Sequence, residues 1–308
     1  MYDEDLSALM ARSASRIVAE MESATPSMGR VVRRWIEDLS PGEPPEEYFK
    51  YPVAFPIFLL PWWLEEAVAP ERDPVFMADV VSSTMCGYYY IRLLDNLIDG
   101  HATSEMEILP AAAYFHTRFQ SAYQPHFPHG HPFWEIFRGE WFKCAEAVIL
   151  DRRLTTVDRS TFMNVSARKL RAALIPVAAV CLRHDRPELI EGWTRYCDLL
   201  ACCVQMTDDV FDWHADASRG EVATYFLSEG RRRKRPDESV AAWVLRDGFT
   251  WGVSTVREWL QELREQAPAL GCPRAVAYVE WRLEMLRERE EVLSGTHEKL
   301  ARIASALE

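Results

Sequence analysis

Two groups of carboxylates have the types and spacing to do chemistry. In the run Tyr88-Tyr-Tyr-Ile-Arg-Leu-Leu-Asp95-Asn96-Leu-Ile-Asp99-Gly100, Asp95 and Asp99 stand four residues apart at the end of an otherwise apolar stretch. On a helix that spacing puts both on one face. They repel each other where the helix dipole is already negative, which costs stability unless a cation bridges them. The second group is Gln205-Met-Thr-Asp208-Asp209-Val-Phe-Asp212-Trp-His-Ala-Asp216, in which Asp208, Asp212 and Asp216 recur every fourth residue over two helical turns. Cys202, Cys203, Val204 and Phe211 mark the same helix as buried. Carboxylate oxygens without a Cys or His ligand set select Mg²⁺ or Mn²⁺ over zinc. One D-x-x-x-D is as readily a solvated helix end. Two, each closing an apolar helix, point to a shared metal site with the stripes facing one another across the mouth of a bundle.

The elements that must position these residues are helices. Apolar residues recur at i, i+3, i+4 and i+7 along nearly the whole chain, and no stretch alternates strictly, so the fold class is all-α. The pattern predicts helices over 5–22, 28–38, 54–68, 73–99, 105–123, 132–150, 158–183, 187–213, 237–266 and 273–307, with breaks at Pro- and Gly-containing turns such as Pro41 to Pro45 and Gly271 with Pro273. A helix of the length of 73–99 or 158–183 reaches about 38 Å, enough for a deep antiparallel bundle. No fixed-period repeat and no Ser/Gly-rich linker interrupts residues 1–308, which read as a single domain.

Composition narrows the partners. The 308 residues carry 35 Lys and Arg against 47 Asp and Glu, a net charge of −12, which repels phosphate backbones and argues against nucleic acid. An anionic ligand therefore needs metal ions or a local Arg cluster. Apolar residues make up 48% of the chain, ample for a large core. Seven cysteines with no C-x-x-C pair read as buried thiols of a reducing compartment. The first ten residues are acidic where a signal peptide is basic, and Pro56 and Pro61 break the most apolar stretch, Val53 to Leu64. A cytoplasmic protein without stable membrane insertion is expected.

With both motifs in view, the chain resembles the class I isoprenoid (terpenoid) synthases, the family of terpene cyclases, prenyl diphosphate synthases and squalene/phytoene synthases. Asp95-Asn96-x-x-Asp99 is similar to the family's aspartate-rich D-D-x-x-D motif, with Asn in second place. Gln205-x-x-Asp208-Asp209-x-x-Asp212 resembles the second aspartate motif of the prenyl synthases. Its extension to Asp216 matches the spacing of the cyclases' N-x-x-x-S-x-x-x-E motif. The resemblance implies a single helical domain of the isoprenoid synthase type. It also implies three Mg²⁺ ions, with Mn²⁺ as an alternative, held by Asp95, Asp99, Asp208, Asp212 and Asp216. The substrate it implies is a prenyl diphosphate, ionised to an allylic cation. Homodimers are common in the family, so the resemblance leaves a homodimer open without fixing the oligomeric state. The region of Arg168-Lys169-Leu-Arg171 often supplies the family's diphosphate-sensing base, and Arg219 is a second candidate; a snorkelling surface Arg explains each as simply.

An aromatic cavity would stabilise the cation and exclude water. Tyr88, Tyr89, Phe162, Phe211, Trp213, Trp134 and Trp141 are candidates for its wall. Counting back from Asp95 along its helix face reaches Ile91 and Gly87, a small residue beside Tyr88 that suggests room for a long chain. The elongating branch follows its first motif with an Arg pair, absent here until Arg118, and the Arg-Tyr pair of many bacterial cyclases is also missing. The reading is thus a divergent Mg²⁺-dependent terpene synthase. Prenyl transfer of the squalene/phytoene or prenyl diphosphate synthase type is the alternative, and a non-catalytic prenyl diphosphate binder the third.

Other classes fit less. No His has Glu three residues before it, as a di-iron bundle requires. His126, His129 and His131 read as a surface turn rather than a zinc site, and His184-Asp185 alone is near chance as a phosphohydrolase motif. The basic run Arg231 to Arg235 reads as a mobile solvated loop, with a lid over the diphosphate as the lesser reading.

Overall fold

Local chemistry starts and stops the helices where the sequence suggests. Asp3 accepts from the Leu6 amide at 2.8 Å to open α1 (Glu4–Ala24), and Pro26 opens α2 (Pro26–Leu39) with a residue that has no N–H to lose. Pro56 and Pro61 delay the helix expected from residue 54, so α3 is Leu59–Val68. Asp73 accepts from the Val75 and Phe76 amides at 3.1 and 3.0 Å ahead of α4 (Pro74–Ile98). Next come α5 (Ala111–Ser121), α6 (Phe133–Asp151), α7 (Leu174–Arg183), α8 (Leu189–Phe211), α9 (Trp213–Arg219), α10 (Tyr225–Arg233), α11 (Phe249–Gln266) and α12 (Pro273–Leu307). The computed structural model describes residues 1–98, 108–219 and 223–307, and the side chains of all of these but Ile98, Arg219 and 293–307. Among them there is no strand, and no helix is long and apolar enough to cross a membrane.

The chain forms two compact units, Met1–Arg138 with Ile175–Pro187, and Gly139–Leu174 with Glu188–Glu308. In the first, α4 packs on α1 and α5. Trp35, Phe49, Tyr89 and Phe115 interlock there with ring centroids 5.5 to 6.3 Å apart. In the second, α8 packs against α11 and against the 3₁₀ segment Ala167–Ala173. Phe162 stacks between Tyr225 and Trp259 at 5.2 and 5.7 Å.

Three expectations need correction. Residues 158–183 are not one regular helix, because Phe162–Ser166 widens to a π turn and Ala167–Ala173 tightens to 3₁₀ before α7. Pro176 has no N–H for the carbonyl four residues back, and the Cys144 thiol donates to the Lys169 carbonyl at 2.9 Å, so the ladder is re-paired locally. Residues 187–213 break at Asp212, whose φ of −100° and ψ of 7° end α8. Arg231 to Arg233 are not a loop but the last turn of α10. That helix is capped by the Thr224 hydroxyl on the Leu227 amide at 3.2 Å and tied by the Asp209 carboxylate to the Tyr225 amide at 3.2 Å.

Candidate functional site

The second acidic group keeps its register. Although α8 ends at Asp212, the Asp212 amide still donates to the Asp208 carbonyl at 2.8 Å, and the Asp216 amide to the Asp212 carbonyl at 3.1 Å. The i, i+4 ladder therefore runs through the break, and Asp208, Asp212 and Asp216 stay in step along it. Asp208 reaches solvent, yet the protein around it strips part of its hydration, and with Asp212 one turn away this pushes its pKa up to about 6. Arg282, Lys169 and Arg289 pull it the other way.

Asp209 plays a different part. It is 4% exposed, accepts from Gln205 Nε2 at 3.1 Å and from the Tyr225 amide at 3.2 Å, and burial pushes it up to about 7. It is the peg that joins α8 to the start of α10.

The surrounding cations are not equivalent. Arg171 is bonded to both Glu140 and Asp198; although burial works against it, these two partners raise its pKa, which commits its charge to the fold. Lys169 holds Asp151 at 2.6 Å, and Asp151 also accepts from Ser166 Oγ at 2.5 Å. Arg168 is half-exposed beside them. Arg282, 2% exposed on α12, donates to the Tyr278 hydroxyl at 3.4 Å, and Arg289 lies 5.2 Å above the Phe211 ring. Sequence reasoning passed over Arg282 and Arg289, although their spacing of seven on one helix was the available signal.

On α4, Asp95 is half-buried with Arg92 at 4.0 Å. Tyr88 shares a hydrogen bond with the Tyr48 hydroxyl at 2.8 Å, and burial raises its pKa. Ile91 is half-buried one turn before Asp95. Asp99 and the Arg219 side chain lie outside the described residues.

Two pocket expectations are corrected. A Cβ on Gly87 would come within 2.8 Å of the Phe119 ring, so Gly87 is where α4 and α5 touch and offers no open space. Phe162 is fully buried in its ring stack, which places it in the core. Phe211 stays half-buried, edge-on to Phe249 at 5.6 Å.

Three of the histidines are spoken for. His126 pairs with Asp79 at 2.8 Å, His131 Nδ1 accepts from the Phe133 amide at 3.2 Å, and His184 pairs with the buried Glu65 at 2.7 Å. Among the described residues no three His, Cys, Asp or Glu side chains converge to hold a metal on protein atoms alone. All seven cysteines are buried and outside any disulfide, and burial pushes the Cys202 thiol up to about 12. No protein-family model matches the chain, and no curated protein shows a significant match to it.

Proposed function

We propose that the protein is a Mg²⁺-dependent class I terpene synthase that ionises a linear prenyl diphosphate and releases pyrophosphate. The observation that carries the reading is the carboxylate stripe of Asp208, Asp212 and Asp216, kept in i, i+4 register through a helix break. Like charges in that arrangement are unfavourable by several tenths of a kcal/mol per pair in a bare helix. A stripe spreads charge along a line rather than around a point, so it suits cations that take their remaining ligands from a substrate's phosphate oxygens.

The donors fit Mg²⁺. Asp208, Asp212 and Asp216 offer only hard oxygen, and the neighbouring Cys202 thiol, held up at about 12, stays protonated and does not compete. Asp208, Asp212 and Asp216 would hold Mg²⁺ in the second unit, and the same role is proposed for Asp95 and Asp99 of the first motif. When bound, Mg²⁺ supplies the electrostatic pull on the diphosphate leaving group. The chain's own share is to bind and to shield. Half-exposed Arg168 is the member of its basic run not committed to a carboxylate, and is assigned to a phosphate oxygen. The half-buried Phe211 ring presents its quadrupole to positive charge, as its contact with Arg289 already illustrates.

The test is incubation with prenyl diphosphates of increasing chain length and Mg²⁺, followed by pyrophosphate measurement and hexane extraction. Pyrophosphate with a hydrocarbon or alcohol product from a single substrate is expected. Product formed only when isopentenyl diphosphate is added would replace the reading with prenyl transfer, and binding without release would replace it with a non-catalytic role.

A further inference from the structure

The basic run on α10 takes no part in the chemistry above, and its setting in the second unit is unusual for a chain of net charge −12. Arg231, Arg232, Arg233 and Arg235 are exposed, and Lys234 is half-exposed. The acids around them are already satisfied. Glu229 accepts from Arg232 at 2.9 and 2.6 Å and from Arg233 at 2.6 Å. Glu238 accepts from Arg246 at 2.8 and 2.9 Å, and Asp247 also pairs with Arg246. Arg231, Lys234 and Arg235 are left with no side-chain ion pair among the described residues, although the Glu238 carboxylate partly offsets Arg235.

The patch is also rigid and partly apolar. A Cβ on Gly230 or Gly248 would fall within 2.8 or 2.6 Å of the Trp243 ring, so the indole is clasped between the end of α10 and the segment Val244–Gly248. Leu245 on that segment is 59% exposed, and Ala241 and Ala242 beside it are exposed too. Leu245 is joined to the basic run through Arg246 and Glu238, since Glu238 also accepts from the Arg235 amide at 2.9 Å.

We propose that this end of α10, with Arg231, Lys234, Arg235 and Leu245, is a docking surface for an anionic lipid bilayer. A basic run tied through Glu238 and Arg246 to an exposed leucine matches a membrane interface, where headgroup charge meets the acyl boundary. A nucleic acid would use the charges and leave Leu245 in water. The acidic remainder of the chain opposes docking weakly, because charges beyond a Debye length of about 8 Å are screened at physiological ionic strength. Attachment is therefore peripheral, reversible and salt-sensitive. It stands whether or not the chain is a terpene synthase.

The experiment is flotation of the full chain with phosphatidylcholine vesicles, with and without phosphatidylglycerol. Binding only to the anionic vesicles, lost on raising salt, is expected. Arg231→Ala/Lys234→Ala/Arg235→Ala should weaken it about a hundredfold, and the uncharged Leu245→Ser should weaken it without altering the salt dependence. Arg195→Ala, a distant surface arginine, should bind as the wild type does. Melting temperatures matched to wild type establish that the variants fold. Equal binding to both vesicles, indifference to the triple substitution, displacement by inorganic pyrophosphate, or preference for single-stranded RNA over vesicles would each overturn the proposal.

Discussion

The two acidic motifs share a spacing but not a setting. At the end of α4, Asp95 has Arg92 at 4.0 Å on its own helix, a local counter-charge supplied three residues away. In the second motif the carboxylates follow one another at i, i+4, and the cations that offset Asp208 come from elsewhere in the chain, Arg282 foremost and then Lys169 and Arg289. The Arg92 contact of Asp95 is thus local to α4, whereas the cations around Asp208 are brought to it by tertiary structure. A buried aspartate accounts for the difference: Asp209 anchors α8 to α10 through the Tyr225 amide and so holds the stripe in place. The lesson is that adjacent aspartates in one motif divide the labour, Asp208 facing solvent and Asp209 bracing the backbone.

The largest expected effect breaks the first motif. Asp95→Asn should lower pyrophosphate release by two or more orders of magnitude, on the order of 3 kcal/mol of transition-state stabilisation, with the fold intact by circular dichroism. Unchanged release would remove Asp95 from the site. The helix that carries Asp95 offers the next test. Gly87→Phe should cost about 1–3 kcal/mol in a denaturant titration, because the new ring must displace Phe119. A variant of full stability that accepts only shorter prenyl chains would instead restore Gly87 to the cavity wall.

The second motif is sharpened by pH. Asp209 is protonated more readily in the folded chain, at about 7, than when unfolded, near 3.9. Its contribution is therefore fully present below the unfolded value and is lost as pH rises towards the folded one. In metal-free buffer Asp209→Asn should gain on wild type between about pH 4 and pH 7, read as a melting-temperature difference that widens across that window. A constant difference would show that Asp209 acts through its hydrogen bonds alone. The smallest effect is that of Asp212→Ala, which relieves repulsion on Asp208. Metal-free stability should rise by several tenths of a kcal/mol, while the Mg²⁺ concentration needed for turnover increases. A loss of several kcal/mol would mark the stripe as a structural network.

Much of this was legible in the sequence because it is local. Helix class, the limits of α12 and the start of α4 follow from periodicity and from Pro74 and Pro273 at first helical positions, with the Asp73 carboxylate capping α4. What escaped depends on partners far along the chain. The turn at 162–173 departs from a regular helix through Asp151 on Ser166 and Cys144 on the Lys169 carbonyl. The run Arg231 to Arg235 read as a solvated loop, yet its first three residues close α10, where Gly230 lets the Trp243 ring approach. Gly87 reads equally as open space or close packing until Phe119 is placed beside it. At the site, the aspartates were visible as a pattern, but the buried Arg282 was marked only by its seven-residue spacing from Arg289, which does not by itself name a carboxylate partner.

The central claim, that the Asp208 stripe binds metal together with diphosphate, is tested most directly by melting the purified chain with Mg²⁺ alone, pyrophosphate alone, and both. The account predicts a rise in melting temperature only with both, shifted to higher Mg²⁺ concentration in Asp212→Ala. An equal rise with pyrophosphate alone, or an unshifted response from the Asp212→Ala variant, would contradict it.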